Sequence, residues 1–178
     1  MGIKNYLIEG LSGTGKTAVC DELLRRGHRA IHGDRELAYQ GDPETGKPLN
    51  GVTHEHHIWD LNKVRALAAE RSNAATFFCG GSRNFARFID LFDEVFVLEA
   101  DWSTLNRRLR SRPENEWGGR ASERELVARL HATGEGRPDE ATIIDAVGPL
   151  SDVVDTILER THRAGRSADP HPGSTSEP

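Results

Sequence analysis

Short apolar runs alternate with stretches of helical period along most of this chain. Tyr6-Leu7-Ile8 lies within a first predicted strand at 3–9, and a helix follows over 15–26, with Val19/Leu23 and Cys20/Leu24 each four apart. Gly27 ends that helix, and His28-Arg29-Ala30-Ile31-His32 predicts a second strand. Residues 41–53 carry Gly41, Pro43, Gly46, Pro48 and Gly51 and read as loop. A helix over 55–71 places Ile58, Leu61, Val64 and Ala68 on one face. Thr76-Phe77-Phe78-Cys79 is a third strand, stopped by Gly80-Gly81, and 84–92 reads as a helix with Phe85, Phe88, Ile89 and Phe92. Val95-Phe96-Val97-Leu98 is an unbroken apolar run, the pattern of a strand covered on both faces in a parallel sheet.

A basic helix over 102–111 leads into a polar stretch from Pro113 to Ala121 that contains Trp117-Gly118-Gly119. Ser122-Glu123-Arg124-Glu125 reads as a capping box for a helix to His131. A Gly/Pro loop at 133–139 precedes a fifth strand, Thr142-Ile143-Ile144, and Pro149 and Ser151 open a last helix with Val154, Ile157, Leu158 and Thr161. Residues 163–178 are rich in Gly, Ser, Pro and Asp without apolar period and are expected to be a disordered tail, leaving 1–162 as one domain. The alternation predicts an α/β, three-layer αβα fold about a central five-stranded parallel sheet with right-handed crossovers.

Composition narrows the class. The chain has 178 residues, 36% hydrophobic and 29% charged, with a formal net charge of −5. That balance gives no reason to expect a nucleic-acid or membrane partner, and no apolar stretch approaches the ~20 residues that span a bilayer. Cys20 and Cys79 fall on a predicted helix and strand, as buried thiols of a reducing compartment would. Cytoplasm is the expected location, as a monomer or homodimer.

The chemistry sits where the first strand ends. Gly10-Leu11-Ser12-Gly13-Thr14-Gly15-Lys16-Thr17 matches the P-loop pattern without a mismatch, between a predicted strand and a predicted helix. The backbone amides of Leu11, Ser12, Gly13, Thr14 and Gly15 can turn inward on phosphate oxygens of ATP. Lys16 can reach the β- and γ-phosphates, and the Thr17 hydroxyl can hold Mg²⁺. Ligands of open parallel sheets bind beyond the carboxyl ends of the strands. There the chain gathers Gly33-Asp34-Arg35, Gly80-Gly81-Ser82-Arg83, Glu99 with Asp101, and Asp145. A phosphate cradle ringed by acids and arginines is equipment for phosphoryl transfer.

In these residues the chain resembles the small P-loop kinases: nucleoside monophosphate, shikimate and gluconate kinases. The resemblance spans about residues 3–160. His32-Gly33-Asp34-Arg35 is similar to the Gly-Asp step of adenylate kinases and to the Asp-x-Asp of shikimate kinase, with His32 in place of the first acid. Gly46-Lys47-Pro48-Leu49-Asn50 resembles a stretch of gluconate kinases, and Arg83 stands where adenylate kinase has its acceptor-phosphate arginine. The resemblance makes the run from Arg107 to Arg112 a lid helix, with Arg108 and Arg112 closing on the transferred group, and 113–121 the lid. It places His54 to His57 in the acceptor-binding cap, Ile144-Asp145-Ala146 at a fifth strand, and Pro149-Leu150 at a purine-contacting turn. It implies ATP and Mg²⁺ as cofactors and a small-molecule acceptor.

Several residues carry two readings. Asp34 can orient an acceptor hydroxyl or take its proton, or it can cap a helix. Arg35, His57 and Arg83 can bind the acceptor, while Arg83 can equally begin a surface helix. His54-Glu55-His56-His57 has no standard zinc spacing. Trp59 and Trp117 can stack on a ring or simply pack, and Glu99 and Asp101 can support Mg²⁺ or cap a helix. Asp34 favours an alcohol acceptor, because a phosphate acceptor is already anionic; a nucleoside, a sugar acid or an antibiotic would serve. The alternatives are a nucleoside monophosphate kinase and an ATP-hydrolysing switch without a small acceptor. The switch is disfavoured by the absence of a Walker B-like strand end and by the lid-like arginines.

Overall fold

A computed structural model describes residues 3–166. In chain order the elements begin with β1 (Lys4–Gly10), α1 (Lys16–Arg25), β2 (Arg29–His32), α2 (Gly33–Glu36), β3 (Ala38–Gln40), β4 (His57–Trp59) and α3 (Leu61–Ala68). They continue with β5 (Ala75–Cys79), β6 (Glu94–Glu99), α4 (Trp102–Arg110), α5 (Ala121–Thr133), β7 (Thr142–Asp145) and α6 (Leu150–Arg166). Five strands form one parallel sheet in the order β2-β5-β1-β6-β7. Among the described residues no helix is long and apolar enough to cross a membrane. Of the segment read as a tail, residues 167–178 lie outside the described residues.

Successive strand side chains face opposite layers. Tyr6, Ile8, Phe77, Cys79, Phe96 and Leu98 meet Val19, Cys20 and Leu23 of α1 and Val154 and Ile157 of α6 in one core. Leu7, Phe78 and Val95 face the other way, onto Leu37, Trp59, Val64 and Phe88. Burial on both faces is why these strands read as continuous apolar runs. Cys20 and Cys79 are free and buried.

The structure departs from the sequence expectation at four places. Residues 84–92 form two 3₁₀ turns, Phe85–Arg87 and Ile89–Leu91, rather than one helix. An apolar i, i+3 spacing suits either form, and Phe88 separates the turns by stacking on Trp59, with ring centroids 5.6 Å apart and planes within 2°. The helix expected at 55–71 starts late. His57–Trp59 is a strand paired antiparallel with β3, and Asp60 caps α3 by accepting from the amides of Asn62 and Lys63 at 2.9 and 3.2 Å. Residues 33–40, given no element beforehand, hold the single turn α2 and the short β3. The cap of α5 lies at Arg120 rather than Ser122, with Glu123 accepting from the Arg120 amide at 3.3 Å and the Gly118 amide at 2.8 Å. Asp101 caps α4 by accepting from the Thr104 amide at 2.9 Å.

Candidate active site

β1 has β5 on one side and β6 on the other, so the crossovers diverge from it and leave a crevice at its carboxyl end. A cavity of about 600 Å³ opens there. Gly15, at φ 104° and ψ 17°, is the left-handed N-cap of α1, a conformation glycine adopts without steric cost. It turns the chain so that the first amides of α1, which have no intrahelical partners, open toward the cavity. Lys16 curls back over the loop and donates to the carbonyls of Gly10 and Leu11 at 2.5 and 3.1 Å. Burial lowers its pKa, against the opposing charges of Asp34 and Glu9. An ammonium resting on carbonyls beside a helix mouth fits a nucleotide phosphate. Thr17 stands exposed in the first turn of α1, and among the described residues its hydroxyl has no side-chain partner, which suits a metal ligand.

Arg108 and Arg112 both lie on the P-loop. Arg108 donates to the carbonyl of Gly13 at 3.2 Å and, with its other terminal nitrogen, to that of Ala146 at 2.9 Å. Arg112 donates to Ser12 Oγ at 2.8 Å and to the Trp117 carbonyl at 2.6 Å. The polar segment 113–121 is a series of turns folded down beside them. A Cβ on Gly118 would stand 2.6 Å from Leu109 Cδ2, and only its absence lets the segment come so close. Trp117 also stacks on His54, centroids 5.8 Å apart and planes at 13°, so the segment touches the loop between β3 and β4.

The other wall is built by β4 and the turn after β5. The Arg83 amide donates to the His57 carbonyl at 2.9 Å. The Trp59 amide donates to Asn84 Oδ1, and Asn84 Nδ2 donates to the Trp59 carbonyl, both at 3.0 Å. These bonds bring His57 and Arg83 to one corner, where His57 Nε2 lies 3.1 Å from Asp34 Oδ1. Burial opposes ionisation of Asp34, but the His57 hydrogen bond and the Lys16 charge outweigh it and hold its carboxyl below the usual range. The Arg83 guanidinium lines the cavity without a carboxylate partner among the described residues.

The structure thus draws Leu11, Ser12, Thr14, Lys16, Asp34, His57 and Arg83 around one space, with Arg108 and Arg112 on the loop beside it. Arg35 is not among them, and neither is Thr17, which stands exposed in the first turn of α1 outside the cavity lining. On the single turn of α2 consecutive side chains diverge by about 100°, so with Asp34 facing in, Arg35 is exposed outside the cavity. Residues that the strand-end reading passed over also line it. Glu9 stands inside the first strand. The loop between α5 and β7 contributes Gly134, Gly136 and Arg137, and Arg137 pairs with Glu99. The signal for Glu9 was an acid ending an apolar strand directly before the P-loop; the loop carried none beyond its glycines. Burial pushes the Glu9 carboxyl up to about 7, with Asp34 adding to the rise and Lys16 and Arg83 opposing it.

The family model described as the AAA domain matches residues 7–145. The thermoresistant gluconokinase of Escherichia coli (strain K12) is 27% identical over 169 residues, covering 86% of this chain and 91% of the relative. A gluconokinase from Sinorhizobium meliloti 1021 shares the fold at TM-score 0.56 and 17% identity, over 92% of this chain and 94% of its own. A sugar kinase from Janibacter sp. HTCC2649 does so at TM-score 0.58 and 20% identity, over 95% and 100%. The chain belongs to the family described as the AAA domain, with the P-loop fold of an ATP-dependent phosphotransferase.

Proposed function

We propose that the chain transfers the γ-phosphoryl group of ATP to a hydroxyl of a carboxylated polyol, a sugar acid of the gluconate class. The observation that carries this reading is the corner opposite the P-loop. It offers the Arg83 guanidinium, without a carboxylate partner among the described residues, on the same cavity as one carboxylate–imidazole pair, Asp34 and His57. The guanidinium suits an acceptor carboxylate, and the pair suits an acceptor hydroxyl. The resemblance to gluconokinases supports the same class. A nucleoside monophosphate would place a dianion here. Arg137, from the loop between α5 and β7, is already engaged by Glu99, which leaves Arg83 as the lining arginine without a carboxylate partner among the described residues.

On this reading the P-loop amides and Lys16 hold the β- and γ-phosphates. Arg108 and Arg112 leave their carbonyl partners for phosphate oxygens as charge spreads over them. Thr17 would hold Mg²⁺, which would supply charge neutralisation of the phosphates. The lid excludes water, so that the alcohol and not solvent receives the phosphoryl group. The test is transfer from γ-labelled ATP to gluconate, shikimate, deoxynucleosides and nucleoside monophosphates. A phosphorylated sugar acid is the expected product. A nucleoside diphosphate would replace this reading with the second, and inorganic phosphate alone would replace both with a nucleotide-hydrolysing switch.

A further inference from the structure

We propose that Glu9, and not Asp34, takes the proton of the acceptor hydroxyl during transfer, while the Asp34–His57 pair orients that hydroxyl. The proposal rests on the kinase reading above and assigns its proton acceptor.

Glu9 is the last side chain before the P-loop begins at Gly10, so it stands on the strand that carries the phosphate cradle. It shares a face of β1 with Leu7, the face toward α2 and the β3–β4 hairpin. Its Oε1 lies 3.6 Å from where a Cβ on Gly81 would be, which sets it between the P-loop and the turn after β5. The residue is partly exposed and lines the cavity. It has no hydrogen-bond partner among the described residues. A carboxylate on the wall of the cavity with no hydrogen-bond partner of its own is free to receive a proton.

The charged groups around it are few and named. Lys16 faces it from the P-loop, Arg83 from the turn after β5, and Asp34 from α2. Farther along the same cavity are His54 and His57, His131 of α5 bound to the Ala100 carbonyl, and Glu99 of β6 paired with Arg137. Burial dominates at Glu9 and raises its proton affinity to about 7. At Asp34 the His57 bond and Lys16 win over burial and keep the carboxylate ionised, hence a weak base. Two carboxylates driven apart in this way take separate tasks, and the one near neutrality is the better proton acceptor at neutral pH.

The step balances. The acceptor O–H bond breaks and its proton passes to a Glu9 carboxylate oxygen. The acceptor oxygen bonds to the γ-phosphorus, and the bond from that phosphorus to the β,γ-bridging oxygen breaks, leaving its electron pair on ADP. Glu9 returns the proton to water when product leaves.

The experiment measures ADP release against pH from about 5.5 to 8.5, for the wild type, Glu9→Gln and Asp34→Asn. It is run once with gluconate and once with water as the sole acceptor. The wild-type rate should rise about tenfold per pH unit below about 7 and then level. Glu9→Gln should lower the rate about 10²–10⁴-fold and remove the rising limb. Asp34→Asn should raise KM for gluconate yet keep the limb. A limb that survives in Glu9→Gln and vanishes in Asp34→Asn overturns the proposal. If gluconate adds nothing but the water reaction loses its limb in Glu9→Gln, the acceptor reading falls and the role of Glu9 stands. No ADP release from the wild type with either acceptor overturns both.

Discussion

Glu9→Gln makes a prediction about stability that needs no substrate. The folded state holds the Glu9 proton up to about pH 7, whereas the ordinary carboxyl value is 4.5. Between those values the folded protein binds more protons than the unfolded chain. Stability therefore declines as pH rises through the window, being fully present below about 4.5 and lost above about 7. The shift from 4.5 to about 7, at roughly 1.4 kcal/mol per unit, corresponds to at most about 3.5 kcal/mol. Glutamine has the same shape and no proton to lose. Urea unfolding of both proteins at about pH 4 and about pH 8 gives the difference of differences, in which every other titrating group cancels. Relative to the wild type, the variant should gain about 2–3 kcal/mol between the two conditions. Parallel stability curves, agreeing within about 0.5 kcal/mol, would refute the assignment of a strained carboxylate at this position.

Other outcomes follow from the same geometry. Lys16→Ala should lower kcat at least about 10²-fold with an unchanged unfolding midpoint, because its ammonium acts on charge that grows in the transition state; wild-type turnover would remove Lys16 from the site. Gly33→Ala should cost about 1–3 kcal/mol in urea unfolding, since its Cβ would stand 2.0 Å from Cζ2 of the fully packed Trp59; an unchanged midpoint would mean that Trp59 yields freely. Gly118→Val should lift segment 113–121 off Leu109 and speed its amide exchange in the free protein, and unchanged exchange would show that the segment does not depend on this contact. In the wild type, a non-hydrolysable ATP analogue with gluconate should protect the same segment, and equal exchange with and without ligands would make it a rigid surface loop.

The sheet was legible because its strands are covered on both faces and so appear as uninterrupted apolar runs such as Val95–Leu98. The P-loop was legible because a motif and its strand–helix setting coincided. What escaped was short or non-local. β3 and β4 have three residues each, too few to display alternation, and their pairing joins residues 38–40 to 57–59 across a long loop. The apolar side chains at 85, 88, 89 and 92 fitted a helix, yet the stacking of Phe88 on Trp59 decides the local geometry. Arg35 looked equivalent to Asp34 in sequence, and only the orientation of α2 separates them. Glu9 carries no signal in sequence beyond its place inside a strand, ahead of the loop where ligands of such sheets bind. Its importance comes from burial, which depends on what the rest of the chain packs around it.

The β3–β4 hairpin gives the molecule a division of labour that bears on how such chains diverge. Residues 41–56 leave and return through two antiparallel strands that take no part in the main sheet. They are held by local bonds, Gly41 N to His56 O, Leu49 N to Gln40 O and Thr53 N to Gln40 Oε1, each 2.9 Å. Insertions or exchanges there leave β1, the P-loop and α1 undisturbed. A lineage built on this plan can therefore rewrite one excursion, which borders the cavity at Val52, Thr53 and His54, while its P-loop stays fixed. The Trp117–His54 stack sets the limit on that freedom: whatever replaces the excursion must still offer Trp117 of segment 113–121 a flat surface to pack upon.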